Sequence, residues 1–184
     1  MPPPHQLKER VVKRYAARFG VKILVETGTY LGDMVNAMRD LFSRITSVEV
    51  DAALAAEAGK RFAGQRHISI VCGDSGVVLP ELLAGMEGDC LFWLDGHYSG
   101  GITAKGAHET PIEAELRHIG AHGGSPVILI DDARLFDGKN KYPSLEDIRA
   151  LARRFWPAHE CEVKNDIIRI HPRLNERRRI WRDL

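Results

Sequence analysis

The chain has 184 residues, a formal net charge of +1, 44% hydrophobic residues and 28% charged residues. These values are typical of a folded domain with a buried core, and so small a charge gives no general electrostatic basis for binding nucleic acid or an anionic membrane. No apolar run approaches the roughly 20 residues that a membrane span requires, and Met1-Pro2-Pro3-Pro4-His5 lacks the apolar region of a signal peptide. Because its three cysteines, Cys72, Cys90 and Cys161, are an odd number, we expect reduced thiols and a cytoplasmic protein.

Apolar periodicity predicts that helices and short strands alternate along the chain. Helices are expected at residues 5–19, 32–43, 52–63, 75–85, 111–120 and 144–156. Strands are expected at residues 21–26, 45–50, 68–72, 90–95, 126–131, 159–164 and 167–171. Asn165-Asp166 is the predicted turn between the last two strands. The pattern indicates one α/β domain over residues 1–184, with an N-terminal helix within 1–20 and a basic tail at 172–184 that we expect to be a solvated terminal segment.

Five of the predicted strands end on carboxylates. They end at Glu26, Glu49, Asp74, Asp95 and the pair Asp131-Asp132. These strands are nearly continuous apolar runs, which is typical of a parallel sheet buried on both faces. In such a sheet the carboxyl ends share one edge, and ligands bind there. A row of acids at that edge is costly unless hydroxyls, cations or amines lie against it.

A glycine-containing turn, Glu26-Thr27-Gly28-Thr29-Tyr30-Leu31-Gly32, joins the first strand to a helix. Gly28 would let the backbone turn sharply and approach a ligand, and Gly32 would let the helix start pack closely. The spacing matches neither the dinucleotide fingerprint nor a phosphate-binding loop. A plain tight turn is therefore the alternative to a ligand-binding turn.

Two further strand ends extend this pattern. Glu49, about 20 residues beyond the turn, is placed where a carboxylate accepts both hydroxyls of a ribose. Asp74 or Ser75 is placed to meet an adenine amine, with capping of the next helix as the alternative or additional function. Glu-x-Gly-x-x-x-Gly after the first strand, an acid after the second and Gly-Asp-Ser after the third resemble the class I S-adenosylmethionine-dependent methyltransferases, over about residues 20–171.

That resemblance implies a Rossmann-like fold with a seven-stranded, mostly parallel sheet, helices on both faces and a C-terminal antiparallel hairpin. It also implies a donor site over the first four strands, with the methionine part, the ribose and the adenine bound in that order along the edge. The residues that would bind the donor are Glu26, Gly28, Gly32, Glu49, Asp74 and Ser75.

Asp95 and the pair Asp131-Asp132 lie outside this donor half. Two carboxylates 4 Å apart repel by about 4 kcal/mol at an effective dielectric near 20, so these acids lie apart, one is protonated, or a cation lies between them. Oxygen ligands favour Mg²⁺, with Mn²⁺ or Ca²⁺ as alternatives. The three acids resemble those of metal-dependent O-methyltransferases of the catechol and caffeoyl type and of the macrolide and aminocoumarin sugar type. This implies that Asp95, Asp131 and Asp132 hold a divalent metal; the alternative is that they cap helices and pair with Arg134 or Lys105.

The loop from Gly96 to Thr110 is glycine-rich and, at roughly 15 residues, longer than usual, which favours a functional loop. His97 titrates near neutrality and follows Asp95, so we predict His97 and Asp95 as catalytic residues, with His97 as the general base. Metal ligation by His97, or orientation of Asp95, are the alternatives.

Other polar residues near these strand ends have less specific patterns. Lys105 is expected to be a solvated loop lysine or an alternative base. Glu113 and Glu115 begin a helix, and we expect them to complement its dipole. Arg134 and Tyr142 are candidates for acceptor contacts, with surface positions as the alternative.

The sequence as a whole predicts transfer of a methyl group from S-adenosylmethionine to a hydroxyl of a small molecule, assisted by Mg²⁺. We expect no nucleic-acid or membrane partner, and a second copy of the chain is a candidate for completing the pocket as a homodimer. The alternatives are a metal-independent N- or nucleic-acid methyltransferase, another metal-assisted reaction such as hydroxylation or hydrolysis, and a non-catalytic donor-binding protein.

Overall fold

One seven-stranded sheet organises the part of the chain that the computed structural model describes, residues 4–96, 110–139 and 142–173. Its strands are β1 (Ile23–Thr27), β2 (Arg44–Glu49), β3 (Ile68–Cys72), β4 (Cys90–Leu94), β5 (Val127–Ile130), β6 (His159–Lys164) and β7 (Ile167–Pro172). They lie in the order β3-β2-β1-β4-β5-β7-β6. Strands β1 to β5 pair in parallel, whereas β7 is antiparallel to both β5 and β6. The predicted mostly parallel sheet with a C-terminal antiparallel hairpin is confirmed.

Helices cover both faces of this sheet. They are α1 (His5–Phe19), α2 (Asp33–Met38), α3 (Ala52–Phe62), α4 (Ser75–Ala84), α5 (Ile112–His122) and α6 (Leu145–Phe155), with a short 3₁₀ helix at Ala133–Leu135. Residues of α1, α2 and α3 pack on one face, and residues of α4, α5 and α6 pack on the other. In β4, Leu91 and Trp93 face the first set while Phe92 and Leu94 face the second, which explains its continuous apolar run. No helix within the described ranges is long and apolar enough to cross a bilayer.

The first helix, α1, has the predicted bounds. Val11, Val12 and Tyr15 form its buried side, and Gly20 ends it in the left-handed conformation with φ of +70°. The helix contacts both β4 and β5. Its N-terminal turns are thereby held against the middle of the sheet.

The second helix is shorter than predicted, because the expected helix at 32–43 ends at Met38. Beyond that point the N–H groups of Leu41 and Phe42 both donate to the Met38 carbonyl, which tightens the chain into a turn. Phe42 is buried by this turn. The apolar pattern continued past the helix because Phe42 belongs to the core without being helical.

Two local predictions near the C-terminus are confirmed. Ser144 and Asp147 form a complete capping box at the start of α6, in which each side chain accepts from the other's backbone N–H. Asn165 and Asp166, with φ of +56° and +60°, make the turn between β6 and β7.

Candidate active site at the carboxyl edge of the sheet

The carboxyl ends of the parallel strands meet at one edge of the sheet, as the sequence predicts. The Asp95 N–H donates to the Thr27 carbonyl, and the Asp131 N–H donates to the Leu94 carbonyl, each over 3.0 Å. These bonds continue the pairing of β1, β4 and β5 beyond the last strand residues. The acids that follow the strands therefore lie side by side.

The turn after β1 needs glycine because its backbone packs against the end of β4. Gly28 has φ of +85°, and a Cβ placed there would lie 2.5 Å from the carbonyl oxygen of Asp95. At Gly32, with φ of +79°, a Cβ would lie 2.8 Å from the Phe62 ring. Gly28 thus makes a close backbone approach to the strand end that carries Asp95, and its predicted approach to a ligand stays a prediction.

Glu26 is a buried acid in the middle of this edge. Its side chain accepts a hydrogen bond from the Ser47 hydroxyl, which in turn lies 2.6 Å from the Thr29 hydroxyl. Burial raises the pKa of Glu26 to about 8, and the charges of Asp95 and Glu49 act in the same direction. Glu26 is therefore mostly a neutral acid at pH 7, with the Ser47 hydroxyl as its hydrogen-bond donor.

Glu49, at the end of β2, is held by backbone donors. The Tyr30 N–H donates to its Oε2 over 2.7 Å, and the Asp51 N–H donates to its Oε1 over 3.0 Å. Each carboxylate oxygen accepts more than one hydrogen bond, so both remain able to accept from a ligand hydroxyl. A contact between Glu49 and a ribose stays a prediction.

Asp74 and Ser75 begin α4, and both have partners within the protein. Asp74 Oδ1 accepts from the Gly76 N–H over 2.9 Å, which confirms the capping alternative. Ser75 Oγ donates to Glu115 Oε1 over 2.6 Å. An adenine contact by either residue stays a prediction.

Glu115 differs from the expectation that it only complements a helix dipole. It does lie in the first turn of α5, but it is 1% exposed. Burial raises its pKa to about 7, against the opposing effect of the Ser75 hydroxyl. Glu113, in the same turn, is exposed as a dipole-complementing acid should be.

The buried acid after β5 is paired with a lysine from α1. Lys8 Nζ donates to Asp131 Oδ2; the exposed fraction is 16% for the lysine side chain and 0% for the aspartate side chain. Burial lowers the pKa of Lys8, but the charges of Asp95, Asp131 and Asp132 outweigh it and raise the pKa above its usual value. A lysine cation is therefore fixed among the three acids predicted to bind metal.

Asp132, the neighbour of Asp131, is paired with an arginine. It adopts φ of +54°, and its Oδ1 accepts from Arg134 Nη1 over 2.6 Å. Arg134 also donates to both carboxylate oxygens of Asp166 in the β6–β7 turn, through its side chain and its backbone N–H. Arg134 thus links two acids of the protein, and its pairing with Asp132 is the predicted alternative to metal binding.

A small pocket lies between the ends of β4 and β5, the start of α5 and the loop after β5. Its walls are Leu94, Gly96, Thr110, Ile112, Glu115, Ile130, Asp131, Phe136 and Tyr142. Phe136 and Tyr142 meet edge to face, with ring centroids 5.6 Å apart. The pocket combines apolar and aromatic walls with two buried acids, Glu115 and Asp131. Tyr142 lines it, and a contact between Tyr142 and an acceptor stays a prediction.

The predicted metal ligands do not form a metal site among the described residues, where no three His, Cys, Asp or Glu side chains lie close enough to hold one ion. Asp131 Oδ2 is bound by Lys8 and Asp132 Oδ1 by Arg134, so these oxygens do not fit a divalent ion in this arrangement. His97 and Lys105 lie outside the described residues, as does the tail beyond residue 173.

Lys8 was not singled out by the sequence pattern, and Glu115 was expected only to complement a helix dipole. Each lies within the apolar stripe of an amphipathic helix: Lys8 one turn before Val12, and Glu115 between Ile112 and Ile119. A charged residue at a position that the helical pattern predicts to be buried is the sequence signal that could have identified both residues.

Comparison with known proteins identifies the fold. The sequence matches no protein-family model and no curated protein to a significant degree. Solved structures do match: the O-methyltransferase TomG from Streptomyces achromogenes, involved in tomaymycin synthesis and in complex with S-adenosylmethionine, has a TM-score of 0.64 at 12% identity. That match covers 93% of this chain and 82% of TomG. The fold is the Rossmann-like methyltransferase fold.

Two further structures with this fold are methyltransferases described by other acceptors. The N-methyltransferase NodS from Bradyrhizobium japonicum WM9, in complex with S-adenosylhomocysteine, matches with a TM-score of 0.58 at 12% identity over 94% of this chain and 89% of NodS. The 23S rRNA methyltransferase ErmE matches with a TM-score of 0.56 at 18% identity over 95% of this chain and 70% of ErmE. At such identities the likeness establishes the fold alone, and the acceptor has to be argued from the site.

Proposed function

We propose that this protein is an S-adenosylmethionine-dependent methyltransferase that transfers a methyl group to a hydroxyl of a small molecule. The observation that carries the proposal is the placement of Glu26 and Glu49 beside the Gly28 turn, at the carboxyl edge of a methyltransferase-type sheet. The residues proposed to bind the donor are those of the sequence pattern, Glu26, Gly28, Gly32, Glu49, Asp74 and Ser75.

The donor side suits a ligand that carries both positive charge and hydroxyls. Glu26 is buried, and among the described residues no cation contributes to the shift of its pKa. A ligand ammonium beside Glu26 would therefore stabilise its ionised form. Glu49 presents two oriented oxygens to hydroxyls. S-adenosylmethionine supplies an ammonium, ribose hydroxyls and a methyl group on a positively charged sulfur.

The acceptor side has apolar and aromatic walls beside its acids. The pocket between β4, β5 and α5 is about the size of one water molecule, so only the reacting hydroxyl of an acceptor would enter it, beside Phe136 and Tyr142. Asp95, which directly precedes the pocket residue Gly96, is the described candidate for accepting the hydroxyl proton, and His97 remains the predicted base. In-line positioning supplies much of the remaining acceleration.

A hydroxyl acceptor is favoured over an amine by the charge at Lys8. An oxygen that loses its proton develops negative charge, and a fixed ammonium close to Asp95 and Asp131 stabilises that charge. A neutral amine that attacks a methyl group develops positive charge instead. The residues predicted to hold Mg²⁺ do not fit the ion in this arrangement, and no step of the proposed reaction passes through a metal.

Titration calorimetry with S-adenosylmethionine and S-adenosylhomocysteine tests the donor half. We expect binding, and we expect Glu49→Gln to weaken it about 10-fold or more, because a hydrogen bond to a charged group contributes about 1.5–3 kcal/mol. Glu113→Gln, an exposed acid on α5, is the matched control and should bind as the unchanged protein does. Failure of the unchanged protein to bind either ligand would contradict the proposed function.

Transfer of isotope-labelled methyl to a panel of phenols, sugars and amines tests the acceptor half. Label on hydroxyl compounds is expected. Donor binding together with label on amines alone would retain the methyltransferase and reject the hydroxyl.

A further inference from the structure

A lysine side chain binds one of the acids on the acceptor side, Asp131. Lys8 reaches it from the N-terminal helix, 123 residues before Asp131 in the chain. The carboxylate of Asp131 is fully buried and the lysine is mostly so. A buried carboxylate requires a partner, and the partner here is the ammonium of Lys8.

The ammonium of Lys8 binds one of the three acids predicted to bind metal, Asp131, at Oδ2. Asp131 Oδ1 is buried and has no hydrogen-bond partner among the described residues, so Oδ2 with Lys8 is the neutralised side of this carboxylate. A second acid of the three, Asp132, is paired with Arg134 at Oδ1. Two cations of the protein are therefore bound to these acids where a metal cation was expected.

A divalent ion would have to displace protein cations to bind these oxygens. Lys8 would have to leave Asp131 Oδ2, and Arg134 would have to leave Asp132 Oδ1. The displaced ammonium would then repel the incoming ion, since two like charges within a few ångströms of each other in a buried site are costly.

We propose that Lys8 is the resident cation of the buried acceptor-side acid Asp131, and that it takes the place of a divalent metal. Its position on α1 means that the N-terminal helix completes this part of the site. With the proposed function as its basis, the inference extends to the reaction: methyl transfer proceeds without Mg²⁺ or Mn²⁺, and Lys8 acts as a positioning residue that fixes Asp131 and balances its charge.

Binding of Mn²⁺, followed by electron paramagnetic resonance, tests this directly and needs no substrate. The unchanged protein should show no saturable Mn²⁺ binding up to about 1 mM, the weak end of protein sites for divalent ions. Lys8→Ala should gain one site that binds Mn²⁺ at least 10-fold more tightly, about 1.4 kcal/mol. Asp131→Asn in the Lys8→Ala background should remove that site.

Lys13→Ala is the matched control, because Lys13 lies on the same helix but is exposed and pairs with Glu9. It should leave Mn²⁺ binding unchanged. If Lys8→Ala does not fold, Lys8→Met, which keeps the alkyl stem, replaces it.

Two outcomes would overturn the proposal. One is saturable Mn²⁺ binding by the unchanged protein that Asp131→Asn abolishes. The other is a folded Lys8→Ala or Lys8→Met protein that still binds no Mn²⁺.

Donor calorimetry on the same samples separates this inference from the proposed function. If the unchanged protein binds no donor, the proposed methyltransferase function is rejected. If the unchanged protein binds both the donor and Mn²⁺, only the assignment of Lys8 as the resident cation is rejected. Turnover that a chelator leaves unchanged is the further expected result.

Discussion

The two halves of the carboxyl edge satisfy their acids in different ways. On the donor half, Glu26 meets only the Ser47 hydroxyl, and burial keeps it mostly protonated at pH 7. On the acceptor half, Asp131 is equally buried but receives a lysine cation, Lys8. The same sequence feature, an acid at the end of an apolar strand, therefore leads to a neutral acid in one place and to an ion pair in the other.

This difference bears on the proposed ligands. A buried neutral acid becomes ionised when a cation binds beside it, so Glu26 can receive the ammonium of the proposed donor. On the acceptor half, Lys8 already provides the counter-charge of Asp131. Asp95 lies between the halves, because its charge acts on both Glu26 and Lys8.

Removing the internal cation should have the largest effect on stability. Lys8→Ala leaves Asp131 buried and unpaired, and we expect it to lower the free energy of unfolding by about 3 kcal/mol, as for other broken buried pairs. Urea unfolding measures this, with Lys13→Ala expected to change stability by less than about 0.5 kcal/mol. Equal effects of the two substitutions would mean that Lys8 contributes no more than a surface lysine.

Neutralising the donor-side acid should change how stability depends on pH. Glu26 titrates at 4.5 in the unfolded chain and at about 8 in the folded protein. Between these values only the folded state holds the proton, so rising pH lowers the free energy of unfolding, by up to about 1.4 kcal/mol per pH unit for this one group. The loss is complete once the pH exceeds about 8.

Glu26→Gln keeps an acceptor for Ser47 and removes the titration. Urea unfolding across this pH range should therefore show a shallower decline than the unchanged protein, with part of the decline remaining from Glu115. Glu113→Gln serves as the control. An unchanged slope in Glu26→Gln would show that Glu26 is ionised in the folded protein.

Removing the other acceptor-side cation should have the smallest effect. Arg134 bridges Asp132 and Asp166, but its side chain is 39% exposed. We expect Arg134→Ala to lower the free energy of unfolding by no more than about 1 kcal/mol, and less at high salt, because exposed ion pairs contribute little. A loss as large as that of Lys8→Ala would contradict burial as the reason for the difference.

Most of the fold could be predicted from local patterns. Continuous apolar runs predict the strands β4 and β5, since both of their faces are covered, and Gly20 correctly marks the end of α1. The exception is instructive: the helix predicted at 32–43 ends at Met38, because Phe42 is a core residue in a turn. Apolar periodicity indicates which side chains are buried. A turn that buries a side chain therefore gives the same sequence pattern as a further turn of helix.

The site could be predicted only in part. The strand-end acids and the glycine turn follow from the topology of a parallel sheet, so Glu26, Glu49 and Asp95 lie where expected. Their partners do not follow from it, because hydrogen-bond and ion-pair partners come from elements distant in the chain. Glu115 on α5 illustrates this, since its hydrogen-bond partner Ser75 lies on α4, 40 residues earlier in the chain.

What the sequence by itself determined is a parallel sheet with acids along its carboxyl edge, because strand burial and the direction of the strands are local properties of the pattern. What only the tertiary structure decided is the charge state of that edge. Lys8 lies 123 residues from Asp131 in the chain, and nothing in either segment specifies the other. The packing of α1 against β4 and β5 brings the two together, and burial then makes the pair obligatory.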